Sequence, residues 1–216
     1  MIDVHALVVG PVQENCYIVR PQGSSSAVVF DPGDEPERLT KTIDELGVTV
    51  EAILLTHCHF DHIGAVAPLA KATGAPVYCP ALERDMLVNV MNYVPWPGFG
   101  PFEGYEPEHL VEGGERLSFA GLDFEILFTP GHSPGHVTWA LAGAPEQPAM
   151  FSGDVLFQGS IGRTDLPGGD HGTLLRSIST LLAGYPPETI VYPGHMGETT
   201  LGRERTSNPF LHDLAQ

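Results

Sequence analysis

Short apolar runs broken by glycine and proline dominate the first half of the chain. Residues 3–9, 14–20 and 26–30 read as three strands, punctuated by Gly10-Pro11 and by Gln22-Gly23-Ser24-Ser25-Ser26. The third ends in Asp31-Pro32-Gly33-Asp34, a turn leading into a helix over residues 36–46. Glu51-Ala52-Ile53-Leu54-Leu55 is β-compatible and uncharged after Glu51, which predicts a buried strand. Ile63, Val66, Ala67 and Ala70 then recur at helical spacing, with Pro68 out of place among them, and predict a helix to about Thr73. A strand at 76–79 and a helix near 81–88 follow. Helices alternating with strands in this way predict an α/β layered architecture.

Residues 89–109 change character. Prolines and glycines exclude regular structure there, while Tyr93, Trp96, Phe99, Phe102 and Tyr105 are too apolar for a solvated linker. The segment is expected to wall a substrate cleft, with Trp96 and Phe99 as candidate contacts; the alternative is a packed excursion or an oligomer contact. Strands resume near 115–119, 122–128, 136–141 and 149–152. A helix over 171–183 and a strand at 188–192 come next, and Thr199-Thr200 is placed to cap a last short helix through about Arg205.

The chemistry gathers where strands end. Thr56-His57-Cys58-His59-Phe60-Asp61-His62 lies between the strand at 51–55 and the helix after it. His57 and His59 are two apart, so on extended backbone they point to one side; Asp61 and His62 come after the chain turns and can aim at a second point. Imidazole and carboxylate are ordinary ligands for zinc and other first-row metals. Three later strand ends deliver His132, Asp154 and His195, in Pro130-Gly131-His132, Ser152-Gly153-Asp154 and Pro193-Gly194-His195. If these seven residues converge, the carboxylates would be poorly solvated without cations beside them. His136 opens a strand and is expected to support or pack. Asp31 has two compatible readings, as a turn former and as a carboxylate orienting the ligand loop.

Composition narrows the class. Ten Lys+Arg against 27 Asp+Glu give a formal charge of −17, which repels phosphate backbones and argues against nucleic acid as substrate or partner. Cys16, Cys58 and Cys79 form no Cys-x-x-Cys motif and imply no disulfide framework, so all three are expected to be packed and the compartment to be a reducing cytoplasm. Neither a secretory signal nor an apolar stretch long enough for a bilayer is evident, and no membrane partner is expected.

His-x-His-x-Asp-His-x-Gly at 57–64, followed by Pro-Gly-His, Ser-Gly-Asp and Pro-Gly-His, resembles the metallo-β-lactamase superfamily across nearly the whole chain. Gly162-Arg163-Thr164-Asp165-Leu166-Pro167-Gly168-Gly169-Asp170 and the Glu204…Asn208-Pro209 ending are similar to the short glyoxalase-II-like hydrolases, a branch close to the persulfide dioxygenases. His59, where flavodiiron oxygen reductases carry Glu, argues against that other branch. The resemblance implies one four-layer αββα sandwich domain over residues 1–216 and two divalent metal ions, zinc first, with iron or manganese as alternatives. It implies His57, His59 and His132 on the first ion, Asp61, His62 and His195 on the second, and Asp154 bridging. The activity implied is thioester cleavage of S-2-hydroxyacyl (lactoyl) thiols by a metal-bridging hydroxide, with Asp61 and Asp154 catalytic. The alternatives are a mononuclear iron persulfide dioxygenase using His57, His132 or His59, and Asp154, or a lactone or β-lactam hydrolase. Given the short stretch after His195, the C-terminal helical domain that grips glutathione in longer glyoxalase II enzymes is expected to be missing. The two lysines, Lys41 and Lys71, lie far from the ligand motifs. Arg163, Arg203 and Arg205 are left as candidate grips on a thiol carrier's carboxylate.

Overall fold

In the computed structural model, residues 1–143 and 147–214 are described. One six-stranded sheet runs in spatial order β1 (Ile2–Val9), β2 (Glu14–Pro21), β3 (Ser26–Phe30), β4 (Thr49–Leu54), β5 (Val77–Pro80), β6 (His109–Val111). The other contains β7 (Arg116–Phe119), β8 (Leu122–Phe128), β9 (Val137–Leu141) and β10 (Ala149–Gly153). A small hairpin of β11 (Leu156–Phe157) and β12 (Ser160–Ile161) intervenes before β13 (Ile190–Pro193) and β14 (Thr199–Thr200). The second sheet is ordered β14-β13-β10-β9-β8-β7. Helices α1 (Pro36–Leu46), α2 (Phe60–Ile63), α3 (Val66–Thr73) and α4 (Arg84–Val88) belong to the first half, and α5 (His171–Gly184) and α6 (Leu201–Ser207) to the second.

Strand periodicity builds the layers. Along β2, Cys16 and Ile18 join an apolar cluster with Leu39 and Ile43 of α1 and Val66 and Leu69 of α3. Their neighbours Tyr17 and Val19 point the other way, into a cluster shared with Phe124, Ile126, Trp139 and Phe151 of the second sheet. β3 and β4 repeat the division, with Val29 and Ile53 on the helix side and Val28, Phe30, Ala52 and Leu54 between the sheets. On the far side, Met150 and Val191 meet Leu174, Ile178 and Leu181 of α5 and Leu201 of α6. Strands covered on both faces need apolar residues at every position, which is why their sequences read as continuous runs. Helix, sheet, sheet and helix thus follow in the expected αββα order. No helix among the described residues is long and apolar enough to cross a membrane.

The structure departs from the sequence expectations where local pattern is weakest. The helix expected to run to Thr73 is split into α2 and α3 at Gly64-Ala65. A side chain at Gly64 would meet the Gly33 carbonyl at 2.4 Å, and the Ala65 N–H donates to Pro32 (3.0 Å), so the chain breaks to pack against the turn after β3. Pro68 then falls in the first turn of α3, where the missing N–H has no intrahelical acceptor to lose. The 81–88 helix is a 3-10 turn, Ala81–Glu83, followed by α4. β6, β11, β12 and β14 went unanticipated; each is two or three residues long and exists only because a sheet edge or hairpin partner receives it.

Phe30 stacks on Phe151 (centroids 4.0 Å apart) and also meets Phe124 and Trp139 edge-on, joining the two sheets. Replacing it by Ala removes the ring and leaves a cavity between layers; urea unfolding is expected to show a loss of about 3–5 kcal/mol. A loss below about 1 kcal/mol would mean that the sheets do not depend on this contact.

Candidate metal centre

The site is assembled at one edge of the sandwich, where strands from both sheets end. In the first sheet β3, β4 and β5 are parallel, and after them come Asp31, His57 and Glu83. In the second, His132 follows β8, Asp154 follows β10, and His195 follows β13, the strand parallel to β10. Asp61 and His62 sit on α2, the single turn that begins as the chain leaves the edge. Two bonds lock the sheets together here: the Val137 N–H donates to the Thr56 carbonyl (2.8 Å), and Trp139 Nε1–H donates to the Leu55 carbonyl (3.0 Å).

All seven sequence-predicted ligands come together, in two groups that meet at Asp154. His57, His59 and His132 form one group whose ligand atoms lie within 4.8 Å of one another, and Asp61, His62 and His195 form the other. His59 Nδ1 and His132 Nε2 are 2.8 Å apart, and His195 Nε2 lies 3.3 Å from Asp61 Oδ2. The two oxygens of Asp154 together reach both groups. Oδ1 faces His62 Nε2 at 3.4 Å, while Oδ2 faces His132 Nε2 at 3.4 Å and His195 Nε2 at 3.6 Å.

Hydrogen bonds behind the ligands select their tautomers. Asp31 Oδ2 accepts from the Thr56 hydroxyl (2.6 Å) and from His62 Nδ1 (3.1 Å), and the Thr56 oxygen in turn accepts from His57 Nδ1 (3.1 Å). One carboxylate thereby leaves the Nε2 lone pairs of His57 and His62 facing the centre, one in each group. His132 Nδ1 donates to the Arg163 carbonyl (2.8 Å) and His195 Nδ1 to the Gln13 carbonyl (3.2 Å), with the same result. Asp31 also has a left-handed backbone (φ 44°), so it both makes the turn and orients the loop. Asp31, His57 and His62 form a third close cluster of ligand-type atoms, in which the Asp31 oxygens are already taken up by Thr56 and His62. His136 supports rather than ligates: its Nε2 accepts the Asp154 N–H (3.1 Å), and its ring stacks on His57.

Three buried polar residues beside the site are not apparent in the sequence. Asn15 donates its amide to the Pro193 and Met196 carbonyls (2.9 and 2.8 Å), fixing the His195 loop to β2. Glu14, at the start of β2, is fully buried 3.8 Å from His62 Nδ1, and burial pushes its carboxyl well up. Glu83 is also fully buried and accepts from Cys58 and from the His132 loop. In a strand or a short helix a lone Glu reads as a solvated residue, and only tertiary packing shows otherwise. Gly194 is required by crowding: a Cβ there would stand 2.3 Å from Asp154 Oδ1 and 2.6 Å from the His62 ring.

The centre fits cations. His57 Nε2, His62 Nε2 and Asp154 Oδ1 are buried without a hydrogen-bond partner, an arrangement that costs free energy unless something binds them. Burial opposes the charge of Asp154, yet His62, His132 and His195 outweigh it and hold the carboxyl well below the usual range. Burial, and then His132, push His59 down to about 4, so it presents a lone pair near neutral pH. For His62, burial is outweighed by Asp154, Asp31 and Asp61, which raise it. The field that would keep a proton on His62 would equally hold a metal ion.

A cleft of about 550 Å³ opens onto His59, Asp61, His132, Asp154 and His195. Its walls are largely apolar and include Phe60, Trp96, Phe157 and Ile161. Trp96 therefore stands on the cleft, 41% exposed. Phe99 does not. It packs behind Phe60 (5.0 Å between centroids) and beside Trp96 (6.0 Å), and lines a separate hollow with Pro11, Pro36 and Pro101. Arg163 lies on the wall, paired with Asp165 (2.7 Å) and over the Trp96 ring (5.8 Å). Arg203 and Arg205 are exposed on α6 and take no part in the lining, and Lys41 and Lys71 pair with Glu45 and Glu103. Cys16, Cys58 and Cys79 are buried free thiols, and the Cys58 and Cys79 sulfurs are 3.5 Å apart.

Comparison with known proteins agrees with this geometry. The hydroxyacylglutathione hydrolase GloC of Haemophilus influenzae is 37% identical over 214 residues, spanning 98% of this chain and 99% of its own. The crystal structure of the BLEG-1 B3 metallo-beta-lactamase matches with a TM-score of 0.88 at 41% identity, covering 98% of this chain and 100% of that one. TTHA1623, crystallised in a di-iron-bound form, matches with a TM-score of 0.78 at 45% identity, covering 96% and 100%. The family model described as the metallo-beta-lactamase superfamily matches residues 9–195, and the chain belongs to that superfamily.

Proposed function

We propose that this protein is a binuclear metallohydrolase that cleaves small acyl thioesters, S-2-hydroxyacyl (lactoyl) thiols foremost. The observation that carries the proposal is the division of buried, unpaired ligand atoms into two groups about Asp154, both facing one apolar cleft. The relation to GloC along nearly the full length of both chains supports the thioester class. The di-iron form of TTHA1623 supports two metal positions. Divalent cations held there would supply a nucleophilic hydroxide at neutral pH, by lowering the pKa of water from about 15.7 to about 7, and would polarise the carbonyl. Zinc is the first choice, with iron and manganese suited to the same donors.

The chain's own residues supply placement. Asp61 and Asp154 both line the cleft, Asp61 within the second group 3.3 Å from His195 Nε2 and Asp154 between the two groups. Phe60, Trp96 and Ile161 provide apolar area for the acyl chain or thiol and limit access of bulk water. Arg163 is the one guanidinium on the wall among the described residues, placed to meet a carboxylate on the thiol carrier once it leaves Asp165.

The similarity to BLEG-1 favours a second reading, β-lactam hydrolysis. The two differ in the leaving group. An amine must be protonated to depart, whereas a thiolate needs little help. Besides the proposed ligands, the titratable groups on the cleft are Tyr93 and Arg163, and the Tyr93 hydroxyl already donates to Asp85. Thioester cleavage asks nothing of the site that it lacks. The test compares kcat/KM for S-lactoyl thiols with that for a chromogenic cephalosporin, and adds O₂ uptake with glutathione persulfide on iron-loaded protein. Thioester turnover far above the other two is expected. A faster cephalosporin reaction moves the protein to the lactamase reading, and persulfide-driven O₂ uptake without thioester turnover moves it to dioxygenation.

Metal analysis checks the bridging role. Asp154→Ala is expected to lose both metal equivalents and most activity, while His195→Ala mainly depletes one; tight retention of two equivalents by Asp154→Ala would show that this residue is not shared. For the cleft, Trp96→Ala is expected to raise KM severalfold with unchanged metal content, whereas Phe99→Ala lowers thermal stability and leaves KM near wild type. The reverse pattern in steady-state kinetics would place the substrate on the other side of the loop.

A further inference from the structure

Glu83 belongs to neither ligand group, yet it ties two ligand-bearing loops together. Its Oε2 accepts the Cys58 N–H at 2.6 Å, and Cys58 lies between His57 and His59. Its Oε1 accepts the Gly135 N–H at 2.8 Å and the Ser133 hydroxyl, in the turn that begins with His132. The carboxylate is fully buried, and its recorded partners are three neutral donors rather than a cation. Gly135 presses on its stem, since a Cβ there would lie 2.6 Å from Glu83 Cγ. The two loops leave different sheets. Each sends histidines to the same point, which requires an acceptor with two oxygens at a set spacing between them. An amide in this place would turn an NH₂ towards one of the backbone N–H donors and leave that loop unheld.

We propose that Glu83 is the positioning residue that sets the spacing of His57 and His59 against His132, and so the affinity of the metal position these three form. This rests on the two-position reading above. The other position is backed by groups that Glu83 does not touch, Asp31 behind His62, which also reaches His57 through Thr56, and the Gln13 carbonyl behind His195. Weakening through Glu83 should therefore be selective.

The test is titration of the metal-free full chain with Zn²⁺ or Co²⁺ in competition with a chromophoric chelator, resolved into two affinities. His132→Ala run alongside identifies the first position. Glu83→Gln is expected to weaken that equivalent by about 10–100-fold, the range seen when partners behind metal ligands are removed, and to leave the second within about twofold. Ser133→Ala, which removes one of the three bonds, should weaken the same equivalent by less. Equal weakening of both equivalents alongside a lowered Tm would reduce Glu83 to general stability and overturn the proposal, as would unchanged affinities. Should Glu83→Gln fail to fold, an unaltered first affinity in Ser133→Ala overturns it. Fewer than two equivalents on the wild-type chain would instead sink the two-position reading, whatever the variants do.

Discussion

A carboxylate buried among imidazoles is the constraint that orders this molecule. Asp154 sits at the end of a strand with His62, His132 and His195 at 3.4 to 3.6 Å, and little water reaches it. Such a group is tolerated only where opposite charge and directed lone pairs surround it. Everything nearby serves that end. His136 takes up the Asp154 N–H, Gly194 leaves room at Oδ1, and Asp31 turns two imidazoles so that their free nitrogens face inward.

The layered fold makes that crowding possible. Strands of two sheets that share one apolar interface can end side by side without any helix or loop between them. The aromatic cluster of Phe30, Phe124, Trp139 and Phe151 holds the sheets rigidly together. The indole N–H of Trp139 extends this rigidity to the last residue before the ligand loop. Residues mounted on strand ends inherit the precision of the core, while part of the cleft wall is drawn from the irregular segment around Trp96.

Much of this was legible along the chain. Histidines two apart on extended backbone, and Pro-Gly-His or Ser-Gly-Asp at strand ends, carry their own geometry, because local stereochemistry decides where such side chains point. The strands of the core announced themselves as well, since burial on both faces demands apolar residues at every position. The break between α2 and α3 was less visible: Pro68 hinted at it, but the contact that forces it, Gly64 against Gly33, is between residues far apart in sequence.

The sequence by itself determined which residues would converge at the site, the αββα layers and the superfamily, because each rests on periodicity or on motifs only a few residues long. Only the tertiary structure decided what stands behind and around the ligands. Glu83, Glu14 and Asn15 look like ordinary polar residues until packing from distant segments buries them, and the donors that Glu83 accepts from and the carbonyls that Asn15 donates to lie in loops with no fixed offset in the chain. The same holds for the cleft. Trp96 and Phe99 are near neighbours in one aromatic loop and both meet Phe60, and only the fold puts the first on the cleft beside the metal centre and the second on a separate hollow. A side chain's facing in an irregular loop is set by long-range contacts, and no periodicity records them.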